Sequence, residues 1–576
     1  MTKSKWHVLL SIFAIFAILA FTAACGDDDD DDNGGTGGTT ASPTSGGGTA
    51  PTAVAKPSGT ITIRTIQFES WDPHFSDFNQ DIEHFFMVWR GLYHLDKDSK
   101  PQPAMADGMP TVSADGKTYT VKLKKDLKWS DGQPLDANDF VLGVQRTCNP
   151  DNAGHYQYIL TAIVGCQDYY DAGKKTAEEK AALQKAMGVK AVDATTIEFK
   201  LTDPQPTFTI LLALWPTFPA PKHKLATVDA KWPAPMDNVY NGPFKVSAYT
   251  EKDKMEVVPN DQYTAGQKAQ VEKIVMRYID DPAVALNAYR AGEIDATGVP
   301  STQLKAVKAD PTLGKELVSY AATRTTGIEP NLKDPTLSKL EVRLALSQAT
   351  DRKTLNDNIL NGANIVSTNW MPPDRSGNKA GTFDAAIGFD PAKAKENLKK
   401  AGYDNGAGFP KLTVLQTDSA GNKAIGEFLQ SEWKKYLNID INLEYTDSKT
   451  RSSRFNSGDF QIVLGGWGED YPDPENWILG LFETGGSINK QSCSMKAIDD
   501  IIAKAKFNQN DEQRRQQYRD AEKLIVENVC GIAPMWQVGF HAVVKPYIKG
   551  MVENKKPDDK QVPGDTSVEL WTTTKK

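Results

Sequence analysis

Residues 465–475 read GGWGEDYPDPE, a run in which glycine, tryptophan, acidic residues and proline follow one another without interruption. The run comes directly after residues 460–464, whose alternating apolar composition is typical of a strand. Gly465 and Gly466 let another group approach the backbone closely, and Trp467 supplies a rigid wall. From the residues alone, the acidic positions of this run indicate either a ligand-binding segment, a solvated acidic turn or a cation site.

Short strands and longer helices alternate on both sides of this run, with no evident internal repeat, which predicts an α/β fold. A chain of 576 residues is long enough for at least two hydrophobic cores. The predicted strands are residues 60–64, 117–123, 196–201, 244–249, 412–416, 439–445 and 460–464, and the predicted helices are residues 282–291, 340–350, 391–401, 425–436, 498–505 and 511–527.

The N-terminal residues have the pattern of an export signal. Two lysines precede an apolar run at residues 8–20, and small residues then lead to Cys25. The four residues that end at Cys25 are similar to a bacterial lipobox, in which the cysteine becomes the lipid-modified N-terminus. We therefore predict a signal peptide at residues 1–24 and lipidation of Cys25, with a single retained anchor helix as the alternative. Both predictions place the rest of the chain outside the cytoplasm.

Residues 25–57 are predicted to be the lipidated cysteine followed by a disordered tether. They contain almost no large apolar side chain, so they cannot bury enough surface to offset the entropy of ordering. The six aspartates at residues 27–32 are interpreted as a solvated spacer and supply much of the formal net charge of −8. No basic stretch could neutralise several phosphates, which excludes nucleic acid as an expected partner.

Several separate stretches form a recognisable set. They are WDPH (71–74), RGL (90–92), LKWSDGQPL (127–135), NGPFKV (241–246), RAGEID (290–295) and GWGEDYPDP (466–474). From about Gly59 to Gly550, the chain resembles the family 5 extracellular solute-binding proteins, which are the oligopeptide- and dipeptide-binding components of ABC importers. The last stretch is close to a family signature.

The resemblance implies a two-lobed periplasmic-binding-protein-like α/β fold of type II, cluster C, with an extra N-terminal subdomain and a hinge. Residues 58–275 are then expected to form lobe I, including the subdomain at about 105–195. Residues 276–534 are expected to form lobe II, and residues 535–576 to return to lobe I. Such lobes close over a ligand by bending at the hinge.

The same resemblance implies that Asp470 holds the α-ammonium of a bound peptide. This role is physically reasonable because a buried ammonium is tolerated only beside an opposite charge. Trp467, Gly466 and Tyr471 are expected to line the site with it. Asp473 and Glu475 are interpreted as structural residues.

Further ligand contacts are expected on other parts of the chain. Asp77, Phe78 and Asn79 lie where oligopeptide binders pair with the peptide backbone as an added strand, with an ordinary surface loop as the alternative. Tyr156 and Trp536 fall near ligand-lining aromatic positions of the family. Both could instead be core aromatics.

Three positions depart from the oligopeptide-binding pattern. Leu464 stands where that branch has an arginine, Gly468 where it has a cysteine, and Ser448 near an expected tryptophan. The carboxylate-binding chemistry of the branch is therefore not expected to carry over unchanged. The departures leave the length and chemistry of the ligand open.

Four cysteines remain besides Cys25, an even number in an exported protein, which predicts two disulfides. Three pairings are possible. We favour Cys148–Cys166 and Cys493–Cys530 because each pair lies within one expected lobe. A zinc site is not expected, because no pair has CxxC spacing and no histidine adjoins them.

The function expected from this set of features is capture of a peptide or related small solute and its delivery to the permease of an ABC importer. We expect a monomer without cofactor or metal, anchored to the membrane by its lipid. Oligosaccharides, opines, haem and nickel chelates are the alternative ligands. An enzyme, such as a glycan or peptide hydrolase, is not expected because the chain has no HExxH, GxSxG or GxxxxGK[ST] motif in the required context.

Overall fold

One long mixed sheet and the helices packed on it organise the computed structural model, which describes residues 56–76, 78–96, 99–486, 488–551 and 568–575. The predicted signal peptide, Cys25, nearly all of the tether and Asp77 lie outside the described residues. Among the described residues, no helix is both long and apolar enough to cross a membrane.

The strands follow the chain in this order: Thr60–Thr65 (β1), Tyr93–Leu95 (β2), Pro101–Pro103 (β3), Thr111–Val112 (β4), Thr118–Lys122 (β5), Val189–Asp193 (β6), Thr196–Lys200 (β7), Phe244–Thr250 (β8), Lys254–Pro259 (β9), Lys273–Tyr278 (β10), Ala296–Gly298 (β11), Leu317–Pro330 (β12), Ile365–Val366 (β13), Leu412–Thr417 (β14), Ile441–Thr446 (β15), Ile462–Gly468 (β16), Ala533–Val544 (β17), Ile548–Lys549 (β18) and Thr572–Thr573 (β19).

The α-helices are Asn79–Val88 (α1), Ala137–Thr147 (α2), Cys166–Tyr170 (α3), Ala177–Ala186 (α4), Phe208–Leu211 (α5), Pro282–Arg290 (α6), Ser301–Ala309 (α7), Leu313–Glu316 (α8), Leu340–Gln348 (α9), Arg352–Thr354 (α10), Pro373–Ser376 (α11), Asp384–Ile387 (α12), Pro391–Lys400 (α13), Ala420–Leu437 (α14), Ser448–Ser457 (α15), Lys496–Ala505 (α16) and Asp511–Glu527 (α17). Short 3-10 helices at His155–Leu160 and Pro474–Trp477 matter for the site.

The main sheet has the order β15-β14-β16-β12-β17-β11-β1-β10-β9-β8. Its centre is the antiparallel pair β12 and β17, which are long enough to have different neighbours along their length. The C-terminal half of β12 pairs with β16, whereas the end of β17 pairs with β11. These two strands therefore cross between two halves of the molecule. Their register shifts between Ala321 and Thr325, so the ladder is interrupted where they cross.

Two large hydrophobic cores lie on the two sides of this crossing. The first is built mainly from residues 61–276 and is completed by chain from far away, including Tyr471, Val544 and Trp571. The second is built from residues between Ile328 and Trp536. A smaller cluster within residues 285–313 packs on Val543 near β11. A separate four-stranded sheet, β4-β5-β7-β6, belongs to the first half.

Every predicted strand and helix corresponds to an observed element, with shifts of a few residues at the ends. The helix predicted to begin at Asp390-Pro391 does so, because the Asp390 side chain accepts from the backbone N–H groups of Ala392 and Lys393. Helix α14 begins five residues earlier than predicted. Ser419 caps it there by accepting from the N–H of Asn422, and this polar first turn carries no apolar periodicity.

The structure brings together the cysteine pairs favoured from the sequence. The sulfurs of Cys148 and Cys166 are 1.99 Å apart, and those of Cys493 and Cys530 are 2.06 Å apart. The first bridge belongs to the first core and the second bridge to the second core. Each disulfide therefore constrains one half of the molecule and leaves the crossing strands free.

Replacing both cysteines of one pair by alanine is expected to destabilise mainly the half that contains it. The loops closed span 18 and 37 residues. Loop-closure entropy predicts losses of about 3 kcal/mol for the Cys148–Cys166 pair and about 4 kcal/mol for the Cys493–Cys530 pair. Denaturant unfolding of the two double variants measures these losses. An unfolding midpoint equal to that of the wild type would show that the bridge does not stabilise the fold.

Candidate functional site

Strand β16 carries the glycine-tryptophan run between β14 and β12. A Cβ atom on Gly466 would lie 1.9 Å from the carbonyl oxygen of Thr325, and its φ of +156° is one that other residues rarely adopt. A Cβ atom on Gly465 would lie within 2.9 Å of the carboxylate of Glu329. Position 466 therefore requires glycine, whereas a larger residue at position 465 would displace the Glu329 carboxylate.

Asp470 lies at the end of this run with a side chain that is held from both halves of the molecule. The hydroxyl of Tyr156 donates to Oδ1 at 2.7 Å, and the hydroxyl of Tyr158 donates to Oδ2 at 2.6 Å. Both tyrosines pack against the first core. From the other side, Asn476 accepts from the backbone N–H of Asp470 at 2.9 Å. The carboxylate is thus a bridge across the boundary between the halves.

Burial raises the pKa of Asp470, because only 5% of the residue is exposed to solvent. The hydrogen bonds from Tyr158, Tyr156 and Asn476 and the nearby charge of Arg324 act in the opposite direction. A cation placed against this carboxylate would favour its ionised form further. The arrangement is therefore suited to an ammonium group.

Three cavities meet around Trp467. The first, of about 390 Å³, is lined by Asp470 and by residues 322–324 of the crossing strand. The second, of about 340 Å³, is lined by Tyr158 from one half and by residues 475–488 among others from the second half. The third, of about 160 Å³, reaches Glu329. Trp467 forms a shared wall, fixed by a hydrogen bond from its ring N–H to Asn476 at 3.0 Å.

The other acidic residues of the run are occupied by protein partners. Asp473 accepts two hydrogen bonds of 2.6 Å from Arg514, in a buried pair. Glu469, which is fully buried, is held in the same way by Arg375. These two carboxylates therefore stabilise the loop, whereas Asp470 at the 390 Å³ cavity and Glu475 at the 340 Å³ cavity have no ion-pair partner within the described part of the chain.

Glu475 forms a second link between the halves. Its carboxylate accepts from the hydroxyl of Thr207, in the first half, at 2.9 Å and from those of Tyr471 and Tyr518 at 3.2 and 3.3 Å. Burial and the neighbouring charge of Asp473 raise the pKa of Glu475 to about 7, against the attraction of Arg514. Tyr471 lies in the first core and also lines the 340 Å³ cavity.

Two charged residues of β12 face the cavities. Arg324 has an exposed side chain in the 390 Å³ cavity. Glu329 is buried beside the 160 Å³ cavity, with its Oε2 atom unpartnered in the described structure. Burial raises the pKa of Glu329 to about 7, although Arg451, Gln491 and Arg324 act to lower it.

The remaining predicted contacts are placed as follows. Asn79 begins α1 and lines the 390 Å³ cavity. Phe78 is extended and exposed, but its N–H donates to Ser76 and its carbonyl accepts from the amides of Asp81 and Ile82. Phe78 therefore offers no free backbone group to an added strand. Trp536 is buried in the second core and lines none of the three cavities.

Sequence reasoning missed Tyr158, Asn476 and Arg324. Tyr158 lies two residues after Tyr156 in the 3-10 helix His155–Leu160, whose period of three places neither residue on an obvious apolar face. Asn476 follows Asp470 by six residues and resembles any loop asparagine. Among the described residues, no group of three or more His, Cys, Asp or Glu side chains is arranged to hold a metal ion.

Two lobes joined by crossing strands, with cavities and a cross-lobe carboxylate at their boundary, define a solute-binding protein. The chain belongs to the bacterial extracellular solute-binding proteins, family 5, whose family model matches residues 100–489. The expected two-lobed α/β fold is therefore confirmed. Members of this family bind substrates and are not enzymes.

Relatives support this assignment over most of the chain. A probable deoxycholate-binding periplasmic protein of Escherichia coli is 31% identical over 487 residues, covering 83% of this chain and 88% of its own. The oligopeptide-binding protein of Bacillus subtilis is 28% identical over 474 residues, covering 81% of this chain and 85% of its own. The solved structure of the Escherichia coli murein tripeptide binding protein matches with a TM-score of 0.75 at 26% identity. The match covers 91% of this chain and 100% of that structure.

Substituting alanine at Gly466 is expected to lower the free energy of unfolding by about 2–4 kcal/mol, because the new Cβ atom would overlap the Thr325 carbonyl. Gly468 provides the matched control in the same strand. Its Cβ atom would meet nothing closer than Nη1 of Arg324 at 3.4 Å, so Gly468→Ala should change stability by less than about 1 kcal/mol. Urea unfolding compares the two, and equal effects would show that the close approach at Gly466 is not a constraint.

Proposed function

We propose that this protein captures peptides between its two lobes and delivers them to the permease of an ABC importer. Asp470 receives the α-ammonium, and Trp467, Tyr156 and Tyr471 wall the bound peptide. The observation that carries the proposal is the buried Asp470 carboxylate, which lines a cavity at the lobe boundary and has hydroxyl partners but no ion-pair partner within the described residues. A ligand ammonium supplies the missing positive charge.

Peptide-binding relatives support this choice of ligand. The Bacillus subtilis relative is named as an oligopeptide-binding protein, and the Escherichia coli structure is that of a murein tripeptide binding protein. Cavities of about 390, 340 and 160 Å³ around Trp467 offer room for more than one residue. The polar cavity at Asp470 suits the N-terminus and the others suit side chains.

A bile acid is the second candidate ligand, since one relative is named as a probable deoxycholate-binding protein. Deoxycholate carries a carboxylate and no cation. Its binding would leave Asp470 without a positive partner. The buried acidic residue therefore favours the peptide.

We further propose that residues 322–324 serve as the hinge and that lobe I continues to the beginning of β12. The interrupted β12–β17 ladder supports the hinge. The expected start of lobe II at residue 276 precedes β11, but β11 pairs with β1 of lobe I, and this supports the later boundary. The return to lobe I then lies within β17, close to the expected residue 535.

Exchanging Asp470 for asparagine is expected to raise the dissociation constant for a tripeptide about tenfold or more, because the charge opposite the ammonium is lost while the side-chain shape is kept. Isothermal titration calorimetry of the wild type and Asp470→Asn measures this change. Acetylating the N-terminus of the same peptide should weaken binding to the wild type similarly. Acetylation should weaken binding to the variant much less, since the variant already lacks the ion pair between the ammonium and Asp470.

Two results would contradict the proposed role. If both proteins bind the free tripeptide with equal affinity, Asp470 does not hold the ammonium. If the protein binds deoxycholate tightly and binds no peptide, the bile acid and not the peptide is its ligand. The thermal midpoint of Asp470→Asn serves as the folding control, and Trp536→Phe, in the second core, tests that an aromatic change outside the cavities leaves affinity unchanged.

Lipid anchoring through Cys25 is part of the proposal and rests on the sequence of the N-terminal segment. The full chain expressed in a bacterium should incorporate labelled palmitate and sediment with membranes, whereas Cys25→Ser should not incorporate the label. Membrane fractionation and label counting measure both properties. An unlabelled wild type that still sediments with membranes would favour a retained anchor helix instead.

A further inference from the structure

Arg324 occupies an unusual place among the charged residues of the cleft. It lies in β12, directly opposite Gly468 of β16, and its side chain lines the same 390 Å³ cavity as Asp470. Burial lowers the pKa of Arg324, whereas the charges of Glu329 and Asp470 raise it. The side chain is exposed to solvent within the cavity that it shares with Asp470.

Among the described residues, the guanidinium of Arg324 has no polar partner. Within the part of the chain that the structure describes, Arg324 makes no hydrogen bond and no ion pair. The other arginines that meet the run of residues 465–475 differ in this respect. Arg375 is held by Glu469 and Arg514 by Asp473, while Arg451 donates to the carbonyl of Leu464. Arg324 alone among these four keeps all its donors available.

The strand opposite is shaped to leave room for this side chain. A Cβ atom on Gly468 would lie 3.4 Å from Nη1 of Arg324, so the guanidinium rests against the bare backbone of β16. The nearby position Leu464 is apolar and packs against the second core, so it supplies no positive charge to the cleft. Arg324 is thus placed to take over recognition of an anion.

An alternative role for Arg324 is to act as a counter-ion for Asp470 or Glu329. Such a role would hold the guanidinium in hydrogen-bonding contact with a carboxylate, as occurs at Arg375 and Arg514. Neither contact is formed. The side chain of Arg324 instead lines a cavity of about 390 Å³, where the planar fork of donors can bind a carboxylate in bidentate fashion.

We propose that Arg324 determines specificity by binding a carboxylate of the ligand whose ammonium is held by Asp470. The inference rests on the proposed function, because the ammonium at Asp470 fixes which part of the ligand reaches Arg324. The favoured ligands carry a cationic and an anionic group close together. Two kinds of peptide have this property, those with an acidic side chain near the N-terminus and dipeptides, whose own C-terminus is near.

Two matched ligand pairs distinguish these sources. The tetrapeptides Ala-Glu-Ala-Ala and Ala-Gln-Ala-Ala differ in one side-chain charge, and the dipeptide Ala-Ala differs from its C-terminal amide in the terminal charge. Calorimetry should show that the wild type binds the charged member of at least one pair about tenfold more tightly than the neutral member. The pair that shows the difference identifies the carboxylate.

Arg324→Gln should remove this preference while changing the affinity for the neutral member less than about twofold, because only the charge-assisted contact is lost. Arg324→Lys should keep part of the preference, since the charge remains but the planar fork does not. Both variants are expected to fold, as the guanidinium makes no hydrogen bond or ion pair with the described part of the protein. Circular dichroism checks the folding of each variant. If only one of the two variants folds, that variant alone is sufficient to test the role of Arg324.

The outcomes separate this inference from the proposed function. Asp470→Asn should weaken all the ligands that bind, whatever their second charge. If peptides bind and Asp470 matters, but the preference is absent or survives in Arg324→Gln, the role of Arg324 is refuted and the proposed function stands. If none of the four ligands binds to the wild type, both proposals fail together.

Discussion

A single buried carboxylate, that of Asp470, joins the two lobes and sets the chemistry of the cleft between them. Its oxygens accept hydroxyl hydrogen bonds from Tyr156 and Tyr158 of one lobe, and its backbone is tied to Asn476 of the other. An ionised group this deeply buried is destabilising unless hydrogen bonds or an opposite charge compensate for lost hydration. The hydroxyl groups compensate in part, and in the proposed binding mode a cationic ligand completes the compensation. That proposal links ligand binding and lobe contact through the same two oxygens.

The surrounding charges are arranged so that this carboxylate stays available to pair with a cationic group. Asp473 and Glu469, its neighbours in sequence, are neutralised by Arg514 and Arg375 in buried bidentate pairs. Such pairs contribute little net stability, but they are geometrically demanding and fix the loop in one conformation. The rigid loop holds Asp470 at the cavity wall without offering it a positive partner. Preorganisation of this kind reduces the entropy lost on binding.

Local signals in the sequence predicted much of the fold. The α13 boundaries follow from Asp390 and Pro391, and the glycine-rich run of β16 follows from its own composition. The crossing strands β12 and β17 were missed, because β12 mixes threonine, alanine and glycine and β17 contains a proline and a glycine, so neither shows a clean apolar alternation. Their pairing joins residues more than 200 positions apart, for which no local pattern exists.

In the candidate site, too, some residues could be predicted from the sequence and others could not. Asp470 and Trp467 were predicted because the family resemblance marks them, whereas Tyr158 and Arg324 depend on how distant segments meet. Arg324 lies in a missed strand, and its environment is created by Gly468 across the ladder.

The hinge proposed at residues 322–324 gives the cleft a physical means of coupling ligand capture to lobe closure. Residues 322–324 interrupt the β12–β17 ladder and also line the cavity that contains Asp470. In the proposed binding mode, a ligand held at Asp470 also contacts the segment proposed to bend, and it meets Asp470 and Tyr156 from opposite lobes at the same time. A ligand can shift a conformational equilibrium only by its difference in affinity for the two states. Contacts that exist only when both lobes meet provide that difference, so under this proposal the residues that recognise the ligand also favour the closed form.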